Sequence, residues 1–205
     1  MKKLATTCML LAFATAAMAI TIRVWKPAIL YTHDGRQIEC ITKGPSSKKI
    51  SYKLNESAKK QTIAADSVKY VEYPTEDGHI RLWLNTAIRY VKRDGSLIKP
   101  PTMSISTAKT HWVQLYDDPR GSNKTVMFVW AVAVQNGTAY YYGCYRDSDD
   151  YAVLCTYGLT YSEENAIKVY MSDCPSIVEY VSQKGVKIRN GNDVQKLIDE
   201  YNACK

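Results

Sequence analysis

Residues 111–157, HWVQLYDDPRGSNKTVMFVWAVAVQNGTAYYYGCYRDSDDYAVLCTY, carry the pattern that decides the fold. His111 to Tyr116 reads as a strand, and Asp117 to Asn123, with Pro119 and Gly121, as the turn after it. Val126 to Val134 is nine apolar residues without interruption. That length fits a central strand buried on both faces and is far too short to cross a membrane. Asn136-Gly137 is the strongest hairpin signal in the chain. Thr138 to Arg146 returns, Asp147 to Asp150 turns, and Tyr151 to Tyr157 completes a four-stranded antiparallel meander.

Three helices are expected behind this sheet. Ser162 suits an N-cap, and Glu163 and Glu164 favour the positive end of a helix dipole, for a helix running to about Met171. Ser172 or Asp173 caps a second, with Pro175 in its first turn and Gly185 past its end. Asp193 starts a third, where Val194, Leu197, Ile198 and Tyr201 form an i, i+3, i+4, i+7 stripe. Residues 111–205 therefore read as an α+β domain. Cys174 starts one helix and Cys204 ends another, so an antiparallel pair brings them to bridging distance. Cys144 and Cys155 flank the Asp147 to Asp150 turn. A four-residue loop sets Cys144 opposite Val153 with Cys155 diagonal on the same face, whereas a bulge or a longer loop makes them direct partners.

Towards the N-terminus, residues 74–110 form a connecting segment of mixed signals. Ile80, Leu82 and Leu84 alternate like a strand, whereas Leu84, Ala87, Ile88 and Val91 have helical spacing. Pro100-Pro101 and the Ser/Thr-rich stretch to Thr107 suit a linker. Residues 27–73 read as five short strands: Ala28 to Tyr31, Arg36 to Lys43 after an Asp34-Gly35 turn, Lys49 to Leu54, Thr62 to Ala64, and Val68 to Tyr73. Five strands in so short a span predict a small, strongly bent sheet or barrel. The Asp34-Gly35 turn, Ile38 to Cys40, Lys49 to Lys53, Thr62-Ile63 and Val68 to Tyr73 together resemble a small β domain of exported Bacteroidetes proteins. Asp173-Cys174-Pro175 through Tyr201-Asn202-Ala203-Cys204 resembles the ends of related exported proteins more loosely. The resemblance implies architecture and an exported, bacterial setting, and it transfers no catalytic residue.

Met1 to Ala19 reads as a secretory signal peptide: Lys2 and Lys3, an apolar run from Leu4 to Ala17, and a small-x-small end at Ala17-Met18-Ala19. Its removal leaves no transmembrane segment and changes the arithmetic. The charge of +7 becomes +5, from 25 basic against 20 acidic side chains, and six cysteines become five. An odd set in an oxidising compartment suits two bridges, Cys174 with Cys204 and Cys144 with Cys155, and a buried spare at Cys40. With 46% hydrophobic and 23% charged residues, disorder and a multi-span membrane protein are both excluded.

Chemistry-bearing motifs are sparse. His33, His79 and His111 have no metal-ligand spacing, and Asp147-Ser148-Asp149-Asp150 fails the EF-hand pattern because Ala152 stands where Gly is required. There is no G-x-S-x-G, phosphate loop or dinucleotide fingerprint. No cofactor is expected. Sixteen Tyr and four Trp stand against two Phe. Tyr140, Tyr142, Tyr145 and Tyr151, with Trp112, form a candidate aromatic surface for a sugar or peptide, set against simple packing of strand-favouring residues. The lysines of the first domain suit anionic envelope polymers or protection of strand edges better than nucleic acid. The expectation is an exported, periplasmic, outer-surface or secreted protein that binds an envelope protein or glycan without catalysis. The alternative is a hydrolase of envelope glycan or peptide with its site at the domain junction.

Overall fold

Strand β1 (Lys26–Thr32) is buried at every second residue, with Ala28, Leu30 and Thr32 inward. The computed structural model describes residues 24–75, 80–98, 110–122, 124–134, 136–155, 163–184 and 188–204. The leader, His79, the stretch from Pro100 to Thr107, Ser162 and Gly185 lie outside them. The Asp34-Gly35 turn, with Gly35 at φ +84°, returns the chain into β2 (Gln37–Thr42). β3 (Lys49–Lys53), β4 (Gln61–Ala64) and β5 (Val68–Pro74) follow, with a 3-10 turn at Ala65–Ser67. The spatial order is β5-β1-β2-β3-β4, curled around Leu30, Cys40, Ile50, Val68 and Val71.

The segment with conflicting periodicities is one strand, β6 (Ile80–Val91), twelve residues long. It pairs with β5 along Ile80 to Leu84 and in parallel with β11 (Tyr151–Leu154) along Ala87 to Arg89. β8 (His111–Leu115) pairs along Leu82 to Thr86, and a two-residue β7 (Leu97–Ile98) pairs with Tyr90 and Val91. Both faces of β6 are covered. Leu82, Leu84, Ile88 and Tyr90 enter one core, Trp83 packs on the first five strands, and Val91 packs with Ala166. Leu82, Leu84, Ile88 and Tyr90 keep the two-residue alternation of a strand, while Ala87 and Val91 on the other face supply the apolar positions that also fit helical spacing.

β8, β9 (Thr125–Val134), β10 (Gly137–Arg146) and β11 are antiparallel neighbours in that order. They do not form a separate four-stranded sheet. β6 pairs with both β8 and β11, so β6, β8, β9, β10 and β11 close a five-stranded barrel. The hydrogen-bonded closure thus falls in the second half of the chain, and it recruits a strand from the stretch expected to be a connection. Val113, Leu115, Val126, Phe128, Tyr145, Ala152 and Leu154 fill the interior with the β6 residues. Gly143 is required there: a Cβ on it would stand 2.2 Å from the Val153 carbonyl oxygen and 2.5 Å from the Phe128 ring. Along β9 the run of consecutive buried residues is Thr125 to Val129, and Ala131 is exposed. In the β9–β10 turn, Gly137 is already a ladder residue opposite Val134.

On the outer face of this barrel, Met127, Cys144 and Cys155 meet helices α1 (Glu163–Tyr170), α2 (Pro175–Lys184) and α3 (Gly191–Ala203). α3 starts before the expected Asp193, because the Asn190 side chain accepts from the backbone N–H groups of Asn192 and Asp193 and so caps the helix. Cys174 and Cys204 are disulfide-bonded with their Cα atoms 6.1 Å apart, tying the start of α2 to the end of α3. The fold is mixed α+β and mostly β, with a small closed barrel and three C-terminal helices.

Candidate functional site

Where β5 meets the loops at one end of the barrel, charged and phenolic side chains converge from four segments. β5 runs Val-Lys-Tyr-Val-Glu-Tyr, so Lys69, Tyr70 and Glu72 project beside the β10–β11 turn and the β8–β9 turn. Lys69 Nζ lies 2.8 Å from Asp147 Oδ1 and 3.3 Å from the Asp147 carbonyl oxygen. The Tyr70 hydroxyl donates to the same carboxylate and lies 3.2 Å from the Tyr145 hydroxyl. In the other turn, Asp118 accepts from the Arg120 backbone N–H and from its guanidinium, at 2.9 Å and 2.6 Å. Arg120 also reaches Glu72 at 2.8 Å, and Tyr31 of β1 donates to Glu72 at 2.9 Å. The guanidinium stands 4.6 Å from the Tyr31 ring centroid and 5.8 Å from that of Tyr70.

Beside this network is an open cleft of about 330 Å³ lined by Gly121, Ser122, Asp147 and Ser148. Burial pushes the Asp147 carboxyl up, but hydrogen bonds from Lys69 and Tyr70 outweigh it and hold it below its ordinary value. Arg120 does the same to Asp118 against a smaller burial effect. Burial, reinforced by Asp147, raises the Tyr70 phenol, and burial raises that of Tyr145. Near neutral pH Asp118 and Asp147 are therefore ionised and the Tyr70 and Tyr145 phenols protonated, beside the Lys69 ammonium and the Arg120 guanidinium. The wall offers fixed charges and hydroxyls for hydrogen bonding.

The five aromatic residues singled out in the sequence are not brought together. Tyr140 is exposed at the start of β10, while Tyr142 packs on the helical core against Gly191. Tyr145 is buried in the junction network. Tyr151 is half-buried in the small cluster under α1, with the Arg89 guanidinium 5.8 Å from its ring. Trp112 packs on the first-strand core, and its indole N–H donates to the Ser46 carbonyl at 3.0 Å. A different aromatic row crosses β8, β9 and β10: His111 lies 4.9 Å from Trp130, which lies 5.9 Å from Tyr141. Burial lowers the His111 pKa.

The sequence reading missed Tyr31, Lys69, Tyr70, Glu72, Asp118, Arg120 and Asp147 as a group, and saw in Asp147 to Asp150 only a turn that fails the EF-hand pattern. The legible signal was the pair Lys69 and Glu72, two charged residues in an otherwise apolar and phenolic strand, each demanding a partner where it is buried. Cys40 is buried, and burial pushes its thiol up to about 11. The nearby Tyr73 hydroxyl is buried without a hydrogen-bond partner. Cys144 and Cys155 are both buried, with their sulfur atoms 3.4 Å apart. Among the described residues, no group of three or more His, Cys, Asp or Glu is arranged to hold a metal, and no helix is long and apolar enough to cross a membrane. No family model, curated protein or solved structure matches the chain.

Proposed function

We propose that the chain is an exported bacterial protein of the cell envelope, belonging with the exported Bacteroidetes proteins it resembles. It works by binding an envelope protein or glycan at the junction cleft rather than by catalysis. The observation that carries this is the pairing beside the cleft, where Asp147 is held by Lys69 and Tyr70 and Arg120 holds both Asp118 and Glu72. Hydrolysis of a glycoside by paired carboxylates needs one of them protonated near neutral pH, with its pKa raised. Asp118 and Asp147 are instead both held low by cationic and phenolic partners. Matched charges with Ser122 and Ser148 beside them suit a hydroxyl-rich or amide-bearing ligand, which exchanges hydrogen bonds with fixed donors and acceptors. The Cys174–Cys204 disulfide supports an oxidising compartment, in keeping with the Met1 to Ala19 leader. Partner recognition need not use the tyrosines of β10, since most of them are committed to packing.

The test is titration calorimetry of the mature protein with soluble peptidoglycan fragments and with capsular polysaccharide, alongside a Ser148→Trp variant that fills the cleft. Binding abolished by that variant, with the ligand recovered uncleaved, is the expected result. Turnover of glycan or peptide that disappears in Asp147→Asn would instead establish the hydrolase with a junction site.

A further inference from the structure

Across the β10–β11 ladder Cys144 stands opposite Val153, and the Cys155 backbone N–H donates to the Tyr142 carbonyl at 2.9 Å. Cys144 and Cys155 are therefore diagonal neighbours on the helix-facing side, a geometry whose side chains are within reach of each other. Their sulfur atoms are 3.4 Å apart. Forming a bond of about 2.05 Å asks them to approach by roughly 1.4 Å, within the range of small side-chain rotations. The two cysteines are 1% and 2% exposed, packed among Met127, Ile167 and Met171 in the core that also holds the bonded Cys174.

We infer that Cys144 and Cys155 form a second disulfide, closed while the β10–β11 hairpin is still uncovered and then sealed by the three helices. The oxidant is a disulfide, either of an exported thiol oxidoreductase or of a small thiol such as glutathione. One cysteine thiolate attacks it and releases a thiol, leaving a mixed disulfide. The second cysteine, losing its proton, attacks the protein sulfur of that mixed disulfide and releases the other thiol. Two protein thiols thus lose two protons and two electrons, and the oxidant's disulfide gains them as two thiols. Order matters because the thiolate is the attacking species. In the folded protein, contact with Cys155 and burial both hold the Cys144 thiol protonated, and the helices exclude the oxidant. The pair is fixed in whichever state it had when α1 to α3 docked.

This inference takes its oxidant from the exported reading, so its test supplies one directly. Mature chain unfolded in reductant is refolded in a glutathione–glutathione disulfide couple, then denatured, alkylated and mapped by mass spectrometry. Expected is alkylation at Cys40 alone, with Cys144–Cys155 and Cys174–Cys204 recovered as linked peptides. Alkylation of both Cys144 and Cys155 beside an intact Cys174–Cys204 link would overturn the inference, as would either cysteine linked to Cys40. A second arm folds the chain in reductant first and then adds the couple. Oxidation of the pair at least tenfold slower than during refolding is expected, and equal rates would overturn the sealing by the helices. Protein recovered from the periplasm of an expressing bacterium separates the two ideas. Absence of the full-length chain's product from that fraction, with Met1 to Ala19 uncleaved in the cytoplasm and two bridges still formed on oxidative refolding, would remove the exported reading and leave the bridge standing.

Discussion

Gly143 and Asp147, four residues apart, show how single positions set the molecule's tolerances. Gly143 is the place where the Phe128 ring and the Val153 carbonyl approach the β10 backbone, so Gly143→Ala forces one of them to move. Overpacking of this kind costs about 1 to 3 kcal/mol, and chemical denaturation should show the midpoint falling by the corresponding amount. Asp147 and Asp118 have folded-state pKa values below those of the unfolded chain. Between those values the unfolded state binds more protons, so their contribution is fully present above about pH 4 and is lost as pH falls through the lower, folded values. A melting-temperature series across acidic pH should show this limb, and Asp147→Asn should flatten part of it while lowering stability at neutral pH. Retention of the full acid slope in Asp118→Asn and Asp147→Asn together would show that other carboxylates dominate. Sequence could mark Gly143 only as a weak strand residue and Asp147 only as a turn residue. Each owes its importance to a partner from a distant segment, Phe128 in one case and Lys69 in the other.

Elements whose signal is local were the readable ones. Asp34-Gly35 names a tight turn by backbone chemistry alone, and the α3 stripe of Val194, Leu197, Ile198 and Tyr201 is buried as its spacing predicts. β6 was ambiguous because it is covered on both faces and paired at both edges, so its composition reflects three sets of neighbours that sequence order does not reveal. The start of α3 was misplaced because Asn190 and Asp193 are both good caps, and only the backbone conformation decides between them. Asn190→Ala removes a side chain that accepts two backbone N–H groups, and should cost about 1 kcal/mol by thermal unfolding, with helix content by circular dichroism little changed. An unchanged melting temperature would mean that the end of α3 is held by the Cys174–Cys204 link and by Asn202, which exchanges two hydrogen bonds with the Thr125 backbone.

For the molecule as a whole, the sheet is continuous from β4 through β5 and β6 into the barrel. The Lys69–Asp147 and Arg120–Glu72 ion pairs and the Asn85 amide, which donates to the Ala65 carbonyl at 2.7 Å, add side-chain ties across the same seam. Calorimetry should therefore give one unfolding transition whose van't Hoff and calorimetric enthalpies agree. Two separable transitions would mean that the seam does not couple the halves. Texture along the sequence suggested two units joined by a connection, since a ladder between distant strands leaves no trace in local composition. The sharing of β6 also bears on how such a chain can be cut. A break at residues 76–79 strands one half without the partner of β5 and hands the other an unpaired β6 edge. Each fragment would present raw hydrogen-bonding backbone to its own copies and be prone to clump. The two halves are thus poor candidates for exchange as interchangeable modules, and an insertion is better placed in the Asn55–Ala58 turn between β3 and β4, where every strand keeps its partner.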